Sequence, residues 1–440
     1  MIKFLKIILT VLVTSLFFFS FYTPLLPTNT KNILAAIGLL CIILELIRKK
    51  DFSVPRQLLF LLLISSMVSI MSMVSITYNQ TPDVSYVSFI RSTIIWLSGA
   101  FAVCYLIRGV HGRIDVPLVV HYLIGVCLFQ CVSAMLIEFI PAVREFVDRY
   151  VSQSQDFLQS VGRLYGIGAS LDVAGSRFAA VLAAIAFLMV SSPKRNSVGL
   201  TVFYTLSFTV ITVVGNMIAR TTLIGTLAGI AWMILGPFIV PRENSTVSPL
   251  EKGIPIIGTF AILVLICIVL YNSFSEVNEL FRFGFEGFFS WFETGEWQTD
   301  STSKLESMVI WPEDLRTWII GDGYFENSRN DPNYLGDATQ EGFYMGTDIG
   351  YIRFLFYFGL AGLVWIIGLV VYSAYVCANH FKPFAWLFVM ALGIGLIVWM
   401  KVSTDIFLFF YLFLCAAALQ ETPNDSTSPV EATEEVLEST

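Results

Sequence analysis

Runs of about 17 to 25 predominantly apolar residues recur along the whole chain, and each is long enough to cross a bilayer as an α-helix. So many continuous apolar segments demand a fold that satisfies its backbone hydrogen bonds inside lipid, which helices do within each segment. Charge usage agrees. Asp, Glu, Lys and Arg make up 13% of 440 residues, about half the roughly 25% of a soluble domain, and they gather between the apolar runs. The net charge of −7 therefore says little about partners, and no nucleic-acid partner is expected.

The predicted fold class is an all-α polytopic membrane protein with about twelve transmembrane helices. They are expected at 5–22, 32–48, 57–76, 88–107, 117–139, 174–191, 198–216, 220–240, 254–272, 349–376, 383–400 and 403–420. The first run follows Lys3 and Lys6 as a signal peptide would. No small-x-small cleavage site follows it, so it reads as an uncleaved span. The stretch 198–240 is divided at "GNMIARTT". All seven Cys lie in apolar runs, which gives neither a disulfide framework nor a metal motif.

Lys and Arg in short loops set the orientation. Arg48, Lys49, Lys50, Arg56, Arg108, Arg113, Lys194, Arg195, Arg242, Lys252 and Lys382 share one side with Lys3 and Lys6. That side is predicted to be cytoplasmic, with both termini. The chain then divides into a five-span region, 1–139; a first outer loop, 140–173; a four-span region, 174–272; a large outer loop, 273–348; a three-span region, 349–420; and an acidic tail, 421–440, expected to be disordered.

Both outer loops carry amphipathic stretches. Val143, Phe146, Val147, Tyr150, Val151, Phe157 and Leu158 recur at helical spacing in the first. In the second, Val277, Leu280, Phe281, Phe285, Phe288, Phe289 and Phe292 form one predicted face. Both read as interfacial helices. The remainder of the large loop, 299–347, is polar and rich in turns, and at this length it is no mere connector.

Outer segments normally carry few positive charges, yet here they hold Arg144, Arg149, Arg163, Arg177, Arg220, Arg282, Lys304, Arg316 and Arg329. Arg163 sits in "GRLYGIGASLD", a Gly-rich turn before a span. Arg177 lies inside that span, and Arg220 opens another in "ARTTLIGTL". An Arg at membrane depth is costly unless it faces a polar cavity. Three at one depth point to a shared anion site, because guanidinium forks bind phosphate oxygens in pairs. The alternative is that each snorkels to headgroups or pairs with an acid.

"MGTDIGYIRFLFYFGLAGL" puts Asp348, Tyr351, Arg353 and Tyr357 at the mouth of a span. Asp348 is also a candidate helix N-cap. "GDGYF" reads as a tight turn that presents Tyr324 and Phe325. His111, His121 and His380 all fall on or near the predicted cytoplasmic side, so an outer proton acceptor must be Asp, Glu, Tyr or water. No Walker loop, HExxH or dinucleotide motif occurs, so an enzyme of this kind would draw on an energy-rich substrate rather than ATP.

"GRLYGIGASLD", "ARTTLIGTLAG", "SKLESMVIWPEDLRTWIIGDGYF" and "TDIGYIRFLFYFGLAGL", in this order between about 160 and 365, resemble the bacterial O-antigen polymerase (Wzy-type) family within the O-antigen ligase/polymerase superfamily. The resemblance implies a glycosyltransferase that needs neither metal nor cofactor. It would move a growing glycan from its undecaprenyl-diphosphate carrier to the next carrier-linked repeat unit, at the outer face of the bacterial inner membrane. The implied partners are those lipid-linked oligosaccharide units, membrane lipids and a chain-length regulator.

Carried onto this chain, the resemblance puts Arg163 and Arg220 on the diphosphate. Asp348 becomes the base or acceptor-positioning group, with Glu341 second. Arg177, Lys304, Tyr324, Tyr351 and Arg353 line the substrate site. Lys304 stands where members often carry Arg, and Asp348 stands near the place of an outer-loop His in the sister ligases. Three other functions fit parts of the pattern. A ligase would transfer to lipid A-core, a transporter would move the same lipid-linked unit, and a scaffold would have no activity. The transporter expects internal two-fold similarity and mid-membrane polar residues, and neither is evident.

Overall fold

The structure is a computed structural model. It describes residues 2–49, 55–153, 158, 163–191, 197–239, 261, 264–265, 267–269, 271–326 and 342–420. Most of the predicted span 254–272, the acidic tail and Glu341 lie outside the described residues. Among the described residues the chain is helical, with two isolated bridges, Tyr22 to Ser152 and Glu326 to Phe343, and no longer strand pairing.

The helices are α1 Ile2–Phe18, α2 Thr30–Lys49, α3 Arg56–Asn79, α4 Phe89–His111, α5 Val116–Phe139, α6 Pro141–Tyr150, α7 Leu171–Ser191, α8 Val198–Ile218, α9 Thr222–Ile239, α10 Ser275–Gly284, α11 Glu286–Thr294, α12 Asp300–Ser307, α13 Leu315–Ile320, α14 Gly350–His380, α15 Ala385–Val398 and α16 Leu408–Gln420. Eight of these, α2–α5, α7–α9 and α14, are long and apolar enough to span a membrane. The chain is a membrane-embedded, polytopic helical protein.

Several expectations are corrected in detail. The last two predicted spans are helical for only 14 and 13 residues, because 399–407 leaves the helix and carries Lys401, Ser403 and Asp405. The first interfacial helix ends at Tyr150, and 151–153 leave the helix; Phe157 of that predicted stretch lies outside the described residues. The Phe-rich face of the large loop is split at Phe285 into α10 and α11. The division at "GNMIARTT" holds: Ala219 is extended, and α9 restarts after Arg220 and Thr221.

Helix α7 is the axis of the bundle and is buried on nearly every side. Its Ala-rich face lets α9 approach so closely that a Cβ on Gly225 would overlap the Ala179 backbone. Where lipid supplies no hydrophobic drive between helices, such small-residue contacts carry the packing. The same device joins Gly38 of α2 to Ser98 of α4.

Helix α14 is broken at Phe358 and Gly359, where Gly359 takes φ 64° and ψ −172°. The break frees carbonyls, and the "GDG" turn after α13 fills the gap. Asp322 N–H donates to the Phe356 carbonyl at 2.6 Å, and Gly323 N–H to the Tyr357 carbonyl at 3.1 Å. Ser75 Oγ of α3 also donates to the Tyr357 carbonyl, at 2.7 Å. Buried backbone groups must find such partners.

Candidate functional site

Six chain segments meet at one end of the bundle. They are the α1–α2 connection, the turn before α7, the α8–α9 turn, α10, the start of α14 and the α15–α16 connection. His111 and His121 belong to the opposite end, where they contact Tyr122 and Tyr204. Local chemistry builds each segment. The turn before α7 is held by buried Gln130, whose side chain bonds both backbone groups of Ile167. Gly168 adopts φ 75° there, pressed against the Phe19 carbonyl. The α8–α9 turn is closed by Thr222 Oγ1 donating to the Gly215 carbonyl at 3.0 Å.

Lys401 lies at the centre of the site. Its Nζ is 2.8 Å from Asp172 Oδ1 and 3.2 Å from Thr221 Oγ1, and the Thr221 hydroxyl donates to Asp172 as well. One ammonium thus ties the α15–α16 connection to the first turns of α7 and α9. The sequence reading missed Lys401, Asp172 and Asp405 as site residues. Each sits at a span edge, where a lone charge reads as a boundary marker. Only the short α15 and α16 reveal that 399–407 turns inward.

Asp348 faces the same centre, within electrostatic reach of Asp172 and Lys401. Its Oδ1 is 3.8 Å from Arg353 Nη1 and has no hydrogen-bond partner. Burial pushes its carboxyl up to about 6, against the pull of the Arg353 guanidinium. Asp348 is not the helix N-cap. Ile349 holds that position without a side-chain cap, and the Tyr351 N–H is satisfied by the Trp399 carbonyl at 3.2 Å.

Arg353 is 5% exposed. Its guanidinium is sandwiched between Phe325 and Phe343, 3.7 and 3.8 Å from the ring centroids. It donates to Ser403 Oγ at 2.6 Å and to the Phe325 carbonyl at 3.0 Å. It therefore clamps the large loop to α14, and its fork is largely committed. Tyr351 is also a fastener: its hydroxyl donates to the Leu396 carbonyl at 2.8 Å. Tyr324 is 2% exposed and stacks on Tyr344, so its ring packs inside the loop rather than facing open space. Lys304 is exposed on α12, outside this constellation.

Arg177, deep on α7, donates to the Phe18 carbonyl and lies 3.6 Å from Asp405, which Lys31 approaches at 4.0 Å. A cavity of about 20 Å³ adjoins Arg177 and Asp405, room for a single water.

Arg163 and Arg220 come from different loops and converge on one ring. Their guanidinium carbons are 5.5 and 4.2 Å from the Phe283 centroid. Arg220 Nε donates to the Phe283 carbonyl at 3.0 Å, and its Nη1 meets Glu286 at 2.5 Å. Arg163 Nε is buried without a hydrogen-bond partner. Below α13, Asp322 accepts from Thr317 Oγ1 at 2.5 Å and from Arg316 at 3.0 Å. Burial raises its carboxyl, opposed by the Thr317 hydroxyl and Arg316.

Two guanidiniums, those of Arg163 and Arg220, approach one aromatic ring. Nearby stand a Lys–Asp–Thr triad and, within electrostatic reach of its Lys and Asp, the Asp348 carboxyl that burial pushes up to about 6. Such a constellation suits a polyanionic group held next to a hydroxyl that must lose a proton. Comparison of the chain with protein-family models, curated proteins and solved structures returned no match.

Proposed function

We propose that the chain is a surface-polysaccharide polymerase of the O-antigen type. It would transfer a growing glycan from an undecaprenyl-diphosphate carrier to the next carrier-linked repeat unit, at the outer face of the bacterial inner membrane. The observation that carries this reading is the meeting of Arg163 and Arg220 on Phe283. Two guanidinium forks brought to one ring suit a diphosphate, whose two phosphoryl groups each offer oxygens for paired donors.

The chemistry follows from charge. When the glycosidic C–O bond breaks, negative charge develops on the departing diphosphate, and fixed guanidiniums stabilise it where it forms. The acceptor sugar hydroxyl forms the new C–O bond and gives up its proton. Asp348, with its carboxyl raised by burial, is the proton acceptor at hand. Lys401 holds Asp172 and Thr221 in place beside it.

Reconstitution tests the reading. Purified protein in liposomes with lipid-diphosphate-linked repeat units should yield a ladder of longer glycans, and Arg220→Ala should lower its rate of formation by roughly a hundredfold or more. Transfer seen only after adding lipid A-core would replace polymerase with ligase. No transfer to either acceptor, with the repeat unit still bound, would favour transport of the same lipid.

A further inference from the structure

Helix α13 and the residues just before it carry apolar side chains that stay exposed among the described residues. Leu315 and Ile319, four residues apart on the helix, are 74% and 49% exposed; Trp311, in the non-helical segment before it, is 57% exposed. The Trp311 ring lies flat on Trp318, with centroids 5.8 Å apart and planes 7° apart. Glu313 and Asp314, at the start of the helix, are also exposed. A continuous apolar strip of this kind on a polar loop marks an interaction surface.

Its position says what covers it. Ile319 touches the α14 break, where a Cβ on Gly359 would overlap the Ile319 carbonyl. Asn79 at the end of α3 donates to the Gly321 carbonyl at 2.9 Å. The strip therefore runs on into the exposed apolar residues Leu360 and Val364 of α14 and Met73 and Val74 of α3. Length gives the depth. Helix α14 is broken at Phe358 and Gly359, and the segment from Leu360 to His380 makes about 31 Å at 1.5 Å per residue, close to the roughly 30 Å of hydrocarbon. The part from Leu360 to His380 alone suffices to cross, so the break lies near the hydrocarbon boundary.

We propose that α13 is seated in the bilayer leaflet on the side of the site. Leu315 and Ile319 rest against acyl chains, continuous with the lipid-facing surfaces of α3 and α14. The Trp311–Trp318 pair sits among the headgroups, as interfacial Trp does, and Glu313 and Asp314 reach water. The large loop then re-enters the membrane surface, and the Asp322 carboxylate is held at the boundary.

Site-directed spin labelling tests this in the full chain. Cys41 and Cys267, the two cysteines not buried, are first changed to Ser. Labels then go on Glu313→Cys, Leu315→Cys and Ile319→Cys, one at a time, in phosphatidylethanolamine–phosphatidylglycerol vesicles. The readout is collision with oxygen, which concentrates in lipid, against a water-soluble nickel chelate. Ile319 and Leu315 labels should show an oxygen-to-nickel ratio several-fold above that of Glu313. Nickel access equal to that of Glu313 would make α13 an aqueous loop and overturn the proposal. Low access to both reagents would mean that protein, such as a second copy, covers the strip, and would overturn it equally. Two independent positions keep the test decisive if one variant fails to fold.

Discussion

Gly359 and Ile319 meet backbone to backbone. Gly359 sits at φ 64° and ψ −172°, a region open essentially only to glycine, and any Cβ there would strike the Ile319 carbonyl. The loop that carries Asp322 is thereby keyed into the broken helix. Gly359→Ala should cost about 2 kcal/mol or more from strain and lost contact, read as a fall in thermal midpoint in detergent. Gly368, on the same helix with open space around it, is the control. Gly368→Ala should be neutral or slightly stabilising, and equal losses at both positions would contradict the keyed loop.

Lys401 and Asp172 form an ion pair at 2.8 Å with side chains 22% and 16% exposed. Removing one partner of this partly buried pair leaves an uncompensated charge, at up to about 3 kcal/mol less what solvent screens. Lys401→Met should therefore destabilise strongly. Adding Asp172→Asn should recover part of the loss, because the stranded carboxylate is gone. A double-mutant cycle by thermal unfolding measures the coupling. Additive losses would mean that the ammonium does not organise the three segments that meet on it.

Asp348 gives a pH signature. Burial raises its carboxyl from 3.8 to about 6, so the folded chain keeps a proton that the unfolded chain has lost within that window. Stability from this group is complete below pH 3.8, falls as pH rises through 6, and is a net cost above it. The shift corresponds to at most about 3 kcal/mol, less whatever solvent screening removes. Asp348→Asn, neutral at every pH, should raise the thermal midpoint above pH 6 and leave it unchanged near pH 4. If Asp348 is the proton acceptor, transfer by the unmodified chain should rise through pH 6, and the Asn variant should lose both the rate and that dependence.

The elements with strong periodicity were legible. Runs of apolar residues located the long helices, and "GNMIARTT" divided α8 from α9 at the right place. What was not legible depends on tertiary context. Lys401 looked like a span boundary because nothing local tells that α15 stops at Val398. Asp348 looked like a cap because the partner of the Tyr351 N–H is 48 residues away, on Trp399. Tyr324 looked like a presented ring because "GDG" signals a turn without saying what the turn docks against. Arg163 and Arg220 share a predicted depth, which pointed to a common site, but Phe283, the ring both approach, lies off the predicted Phe-rich face and carried no signal of its own.

The approach of Arg163 and Arg220 to the Phe283 ring yields the sharpest functional prediction. If both guanidiniums hold the departing diphosphate, each supplies stabilisation that exists only as charge develops. Arg163→Ala and Arg220→Ala should each lower transfer by roughly a hundredfold to a thousandfold, mainly in kcat. Lysine should rescue poorly at either position, because a point charge does not reproduce a planar fork. Phe283→Leu keeps the apolar bulk but removes the ring face that aligns the two side chains. It should weaken transfer less than either Arg→Ala change. Combined with Arg220→Ala it should add little, since the ring then has only one guanidinium left to align. Full activity in Arg163→Ala would leave Arg220 without its partner and the proposed diphosphate cradle without support.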